Sequence, residues 1–140
     1  MGWLRERRVL AVLAAIYVAG VAVLVAGPWG WALNRFTVRC YVLFTYTWPI
    51  APAWVGPEDY GVLLNVVLFV PLGALFVLLT GRPWWLATLV AAVGSTMIEV
   101  VQGLWLARQA TWQDVAANTT GAAVGALLAA LVVSLLARRR

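Results

Sequence analysis

The sequence predicts an all-α integral membrane protein, a four-helix transmembrane bundle with an outer amphipathic or re-entrant segment. Three observations carry that expectation. Of 140 residues, 64% are hydrophobic and 11% charged, with a mean hydropathy of +0.92; that is more apolar surface than a soluble domain of this size can hide. The apolar residues fall into four runs, at 9–27, 60–80, 84–106 and 115–137, each near the length of about 20 residues that a spanning helix needs. The basic residues are all arginine, and Arg5, Arg7, Arg8, Arg82, Arg138, Arg139 and Arg140 flank those runs, as topology signals do. One domain, 1–140, is expected.

The first run follows Arg5-Glu6-Arg7-Arg8 and is longer than a signal-peptide core. No convincing small-x-small cleavage site precedes Pro28, so it reads as an uncleaved anchor helix. Residues 28–59 are aromatic-rich and broken at Pro49, Pro52 and Pro57. Arg35 and Arg39 stand one helical turn apart beside Phe36, Val42, Leu43 and Phe44, which predicts a helix over about 31–46 lying on the outer face; a fifth span is the alternative.

The second run contains Pro71, which removes a backbone donor and frees the carbonyl of Val67. Gly73 then lets a neighbour approach near the kink. The links 81–83 and 107–114 are short enough to make the last three runs antiparallel neighbours. Asp114 is placed as the N-cap of the last helix. Gly121-x-x-x-Gly125, with Ala122, Ala123 and Ala126, gives that helix a smooth packing face.

Four spans put both termini on one side, and the arginine distribution makes that side cytoplasmic. Trp29, Trp31, Tyr60, Trp105 and Trp112 then mark the outer interface, with Trp3, Trp84 and Trp85 at the inner one. The formal charge of +5 therefore reads as topology, and no nucleic-acid partner is expected. The lone Cys40 excludes an intrachain disulfide, and the chain has no histidine. No cofactor and no resident metal are expected.

Glu99 is the only charged residue between Trp84 and Leu106. A carboxylate at the centre of a span costs roughly 2.5–3.5 kcal/mol on insertion scales, and less near an interface, so its company matters. At about 100° per residue, Ser95, Glu99, Gln102 and Leu106 share an arc of about 60°. Asp114, Asn118, Gly121 and Gly125 share one on the last helix, and Asn65, Phe69, Leu72 and Phe76 on the second. With Trp105 and Trp112 at the interface, Glu99 and Asn118 each lie about 9 Å inward, at 1.5 Å per residue. Asn65 lies at about 7–8 Å, and Gln102 and Asp114 at about 3–5 Å. One reading is an interhelical clamp, with Glu99 hydrogen-bonded to Asn118 or Asn65. The other is a polar pocket in the outer layer, with Arg108 near enough in sequence to reach either carboxylate.

Asn65-Val-Val-Leu-Phe69-Val-Pro71-Leu-Gly73, then Ser95-x-x-x-Glu99-x-x-Gln102, then Arg108-x5-Asp114-x3-Asn118-Thr-x-Gly121-x3-Gly125, resembles the VanZ-like family of bacterial membrane proteins over about residues 60–130. The resemblance implies that Asn65, Phe69, Pro71, Gly73, Glu99, Gln102, Arg108, Asp114 and Asn118 are motif residues. It also implies a link to low-level resistance to teicoplanin, a glycopeptide acting at the outer face of the membrane, and a place in the bacterial cell membrane.

Three functional readings follow. In the first, a non-enzymatic multi-pass protein binds a membrane lipid, a lipid-linked cell-wall molecule or a lipid-tailed antibiotic. Arg108, with Arg35 and Arg39, then attracts an anionic group while Asn65, Gln102 and Asn118 supply hydrogen bonds. In the second, an intramembrane enzyme uses Glu99 and Asp114 as an acid–base pair, or as metal ligands with Asn65 and Asn118. In the third, a proton-coupled carrier or oligomeric channel uses Glu99 as relay. A homo-oligomer is compatible with each.

Overall fold

The computed structural model describes residues 2–27, 29–105 and 111–139. Five α-helices account for most of it: α1 (Gly2–Ala26), α2 (Gly30–Val42), α3 (Pro57–Thr80), α4 (Trp84–Trp105) and α5 (Trp112–Arg138). Four of them, over Glu6–Val25, Pro57–Thr80, Trp84–Leu104 and Trp112–Arg138, are long and apolar enough to cross a membrane.

The boundaries follow local chemistry. Helix α1 starts well before the first apolar run, because nothing in the arginine-rich lead interrupts helical hydrogen bonding. Arg7 Nη2 donates to the carbonyl of Leu79 at 2.9 Å, satisfying an acceptor that the last turn of α3 leaves open. Helix α3 begins at Pro57, where a missing N–H costs nothing, and Asp59 Oδ2 accepts from Gly56 N at 2.8 Å. It ends at Gly81, whose φ of 65° is the left-handed turn that glycine adopts without strain.

The helix expected over about 31–46 is present as α2, but its end is wound differently. Residues Leu43–Thr47 form a π-helical turn. Trp48 N donates to Leu43 O, while Ile50 N and Ala51 N both donate to Phe44 O. Pro49 has no N–H, so the carbonyls ahead of it are satisfied by donors from further along the chain. The ring of Phe44 stacks on Tyr60 with centroids 6.2 Å apart, which docks α2 against the start of α3.

The bundle is built around α3 and α5, which share the largest interface, with α4 against α5 next. Small residues make this possible. A β-carbon at Gly73 would overlap the carbonyl of Ala122, one at Gly121 that of Val66, and one at Gly125 that of Val70. The Gly121/Gly125 face and the Gly73 notch, read separately in the sequence, are thus two sides of one contact, in which backbones touch without intervening side chains. Ala122 and Ala126 are fully enclosed there.

Helix α1 runs antiparallel to α3 along a thinner seam. Besides Arg7–Leu79, Tyr17 donates its phenol to Leu68 O at 2.8 Å, the residue after the carbonyl that Pro71 was expected to release. The outward faces of the long helices are apolar, as in Val12, Ile16, Val93, Leu128, Leu131 and Val132, which suits lipid contact. One end of the bundle therefore gathers the start of α1, the turn after α3 and the end of α5. The opposite end gathers α2 and the starts of α3 and α5.

Candidate functional site

The polar residues meet at that second end, around a cavity of about 230 Å³. Asn65, Glu99, Gln102, Asp114 and Asn118 line it, together with apolar residues among which are Leu24, Leu33, Phe36, Leu64, Phe69 and Ile98. Glu99, Gln102 and Asn118 are buried. Arg108 lies outside the described residues. Arg35 sits over the ring of Trp31 at 5.5 Å, and neither it nor Arg39 is among the residues lining the cavity.

Each polar side chain ties a different pair of elements. Asn65 Nδ2 donates to Asp114 Oδ1 at 2.6 Å, joining α3 to α5. Asn118 Nδ2 donates to Ser95 Oγ at 2.8 Å, joining α5 to α4. Gln102 Nε2 donates to the carbonyl of Val25 at 2.9 Å, joining α4 to α1. Glu99 Oε2 accepts from the backbone N–H of Thr111 at 2.8 Å, where a helix start offers unpaired donors.

Two local expectations are corrected. Glu99 does not accept from Asn118 or Asn65 through the bonds proposed for a clamp. Ser95, one turn deeper on the same face, takes Asn118, and Asp114 takes Asn65. Asp114 is not the N-cap of α5. Thr111 is, and its hydroxyl accepts from Asp114 N at 3.2 Å. The carboxylate of Asp114, in the first turn and favourably placed for the helix dipole, is left available to Asn65.

Thr111 was readable from Thr111-x-x-Asp114, a helix-start spelling of a Ser/Thr followed by an acid three residues on. The carbonyl of Val25 and the wall formed by Leu33 and Phe36 carry no sequence signal, because they come from segments without recognisable polar patterning. Of the structural motif residues, Phe69 is buried in a cluster with Val21 and Ala122. Among the described residues, no three His, Cys, Asp or Glu side chains gather as they would around a metal ion.

Two further spaces share lining residues with the cavity. Toward α2 it adjoins a polar recess of about 430 Å³, which shares Leu33, Leu64, Asn65 and Asp114 with it. Toward the middle of the bundle it adjoins an apolar groove between α1 and α4, floored by α3. The nearer part of that groove has a volume of about 410 Å³ and includes Val18, Val21, Leu72, Met97 and Val101. A further part of about 480 Å³ runs on to Leu79 and Ala87.

These features define a class: a multi-helix protein of membrane type, with a polar chamber at one end and an apolar cleft adjoining it. The chain belongs to the VanZ/LLP1 family, whose model matches residues 10–133. The match takes in α1 and α2 as well as the 60–130 region that carries the resemblance, so the cavity walls from those helices lie inside the family's domain. Comparisons with curated proteins and with solved structures gave no match.

Proposed function

We propose that this protein sits in the bacterial cell membrane with both termini cytoplasmic and holds an amphiphile whose head group occupies the polar cavity. Its apolar chain lies in the groove between α1 and α4. The observation that supports this reading is that the two spaces adjoin: Val25, Phe69, Ile98 and Gln102 line both the cavity and the groove. A structural clamp needs no apolar groove beside it, and a site for a small soluble molecule needs no apolar extension.

By the arginine distribution the cavity end faces the outer leaflet. That is where lipid-linked cell-wall molecules and lipid-tailed glycopeptides are met. The teicoplanin resistance associated with the family's namesake fits a protein that engages such an amphiphile.

The test is photo-crosslinking in vesicles with a diacyl lipid carrying a photoreactive group on one chain. Labelling should concentrate on Met97 and Ile98 over the outward residues Leu131 and Val132 of α5, and Ile98→Trp should suppress it by filling the groove. Uniform labelling of all lipid-facing residues would sink the reading. Chemical conversion of the lipid, lost in Glu99→Gln or Asp114→Asn, would instead make the site that of an intramembrane enzyme with those two residues as its acid–base pair.

A further inference from the structure

The hydrogen-bonding polarity of the cavity is one-sided. Each of its three amide side chains turns its nitrogen toward a protein acceptor: Asn65 to Asp114, Gln102 to Val25 O and Asn118 to Ser95. Two of these orientations are forced, since a carboxylate and a backbone carbonyl present acceptors to the amide. The amide oxygens are left over. Asn118 is 5% exposed, lines the cavity, and keeps Oδ1 buried with no partner. Asn65 Oδ1, Gln102 Oε1 and Asp114 Oδ2 also carry no hydrogen bond to another described residue.

A buried acceptor without a donor is costly; Asn118 Oδ1 is one, and Asn118 shares its cavity of about 230 Å³ with Asn65, Gln102 and Asp114. Building on the amphiphile reading above, we propose that the group reaching the floor of this cavity is a hydrogen-bond donor, a primary ammonium or a sugar hydroxyl on a lipid. A bare phosphate or a quaternary ammonium does not fit, since neither brings the N–H or O–H groups that these oxygens lack. Asp114 has a second part in this: Asn65 holds Oδ1, so Oδ2 is the oxygen left to meet an incoming donor.

The experiment is native mass spectrometry of the full chain, purified in detergent, with four lipids of identical acyl chains. Phosphatidylethanolamine offers an ammonium, glucosyl diacylglycerol offers hydroxyls only, phosphatidylcholine offers no donor, and phosphatidic acid offers mainly acceptors. At least one of the first two should bind at least fivefold more than phosphatidylcholine, and which one does so separates the ammonium source from the hydroxyl source. In Asp114→Asn the amide oxygen still accepts from Asn65, while an NH2 replaces the free oxygen. That variant should hold its thermal midpoint within a few degrees, and its donor-lipid preference should drop below twofold.

Equal binding of all four lipids, with groove labelling intact, would overturn the donor assignment and leave the amphiphile reading standing. A preference for phosphatidic acid would also overturn it, as would an unchanged preference in Asp114→Asn. Absence of binding by every lipid together with absence of groove labelling would overturn both.

Discussion

Asn65 on α3 and Asp114 on α5 lie 49 positions apart in sequence, and their side chains meet at 2.6 Å. The contact sits at the mouth of the α3–α5 interface and forms part of both the cavity and the recess beside α2. It couples the packing of the two central helices to the shape of the site. In a double-mutant cycle, Asn65→Ala and Asp114→Ala should show a coupling of about 0.6–2 kcal/mol, the range of interhelical hydrogen bonds in membranes. Reversible unfolding in mixed micelles measures it.

The glycine contacts should be far less forgiving. Gly73→Val, Gly121→Val or Gly125→Val would drive a side chain into the facing carbonyl, and the backbones must then separate. A loss of about 1–3 kcal/mol or more is expected, seen as aggregation on size-exclusion chromatography or a thermal midpoint lowered by many degrees. Gly20→Ala and Gly94→Ala meet nothing within 4 Å and should be close to neutral in the same assay.

Helix α1 is held to the rest of the bundle by few polar ties, so its removal from the site should be graded. Tyr17→Phe deletes the bond to Leu68 O, and Gln102→Leu deletes the bond to Val25 O. Each should cost about 0.6 kcal/mol. The double variant should widen the α1–α4 distance distribution measured by paired spin labels, while α3–α5 distances stay unchanged.

Thr111→Ala removes the hydroxyl that caps α5. A loss of about 1 kcal/mol is expected, typical of an N-cap deletion. The backbone N–H of residue 111 survives the change, so its bond to Glu99 should too, and Thr111→Ser should restore the lost stability. Chemical denaturation in micelles separates the three chains.

The proposed orientation has its own measurement. A green fluorescent protein fused after Arg140 should fluoresce in cells, whereas a cysteine placed at Trp54 in a Cys40→Ala background should react with an impermeant thiol reagent from outside. The opposite pattern would invert the leaflet assigned to the cavity.

Much of the membrane architecture was legible because it depends on quantities that local sequence carries. A run such as 60–80 announces a spanning helix by length and apolarity alone, and Gly81-Arg82-Pro83 is too short to allow anything but a hairpin. The polar layer was legible for a related reason. Helical periodicity puts Ser95, Glu99 and Gln102 on one face, and all three are buried; the common depth expected for Glu99 and Asn118 was off by about a turn, since Asn118 meets Ser95 while Glu99 meets Thr111. The π-helical end of α2 was not legible, because it depends on how the carbonyls before Pro49 find donors beyond it.

What the chain determined by itself, then, was that three of four long apolar helices gather a band of amides and carboxylates near one end of a bundle. Partner choice within that band belonged to the tertiary structure. Depth and face narrow a side chain's neighbours to a few candidates, but a hydrogen bond is decided within a few tenths of an ångström. Those distances are set by glycine-mediated contact of α3 with α5 and by the placement of Thr111 near Glu99. Composition also could not reveal that the nitrogens of the amides face protein and their oxygens are left over. That asymmetry arises only when Val25, Ser95 and Asp114, from three separate helices, present their acceptors together.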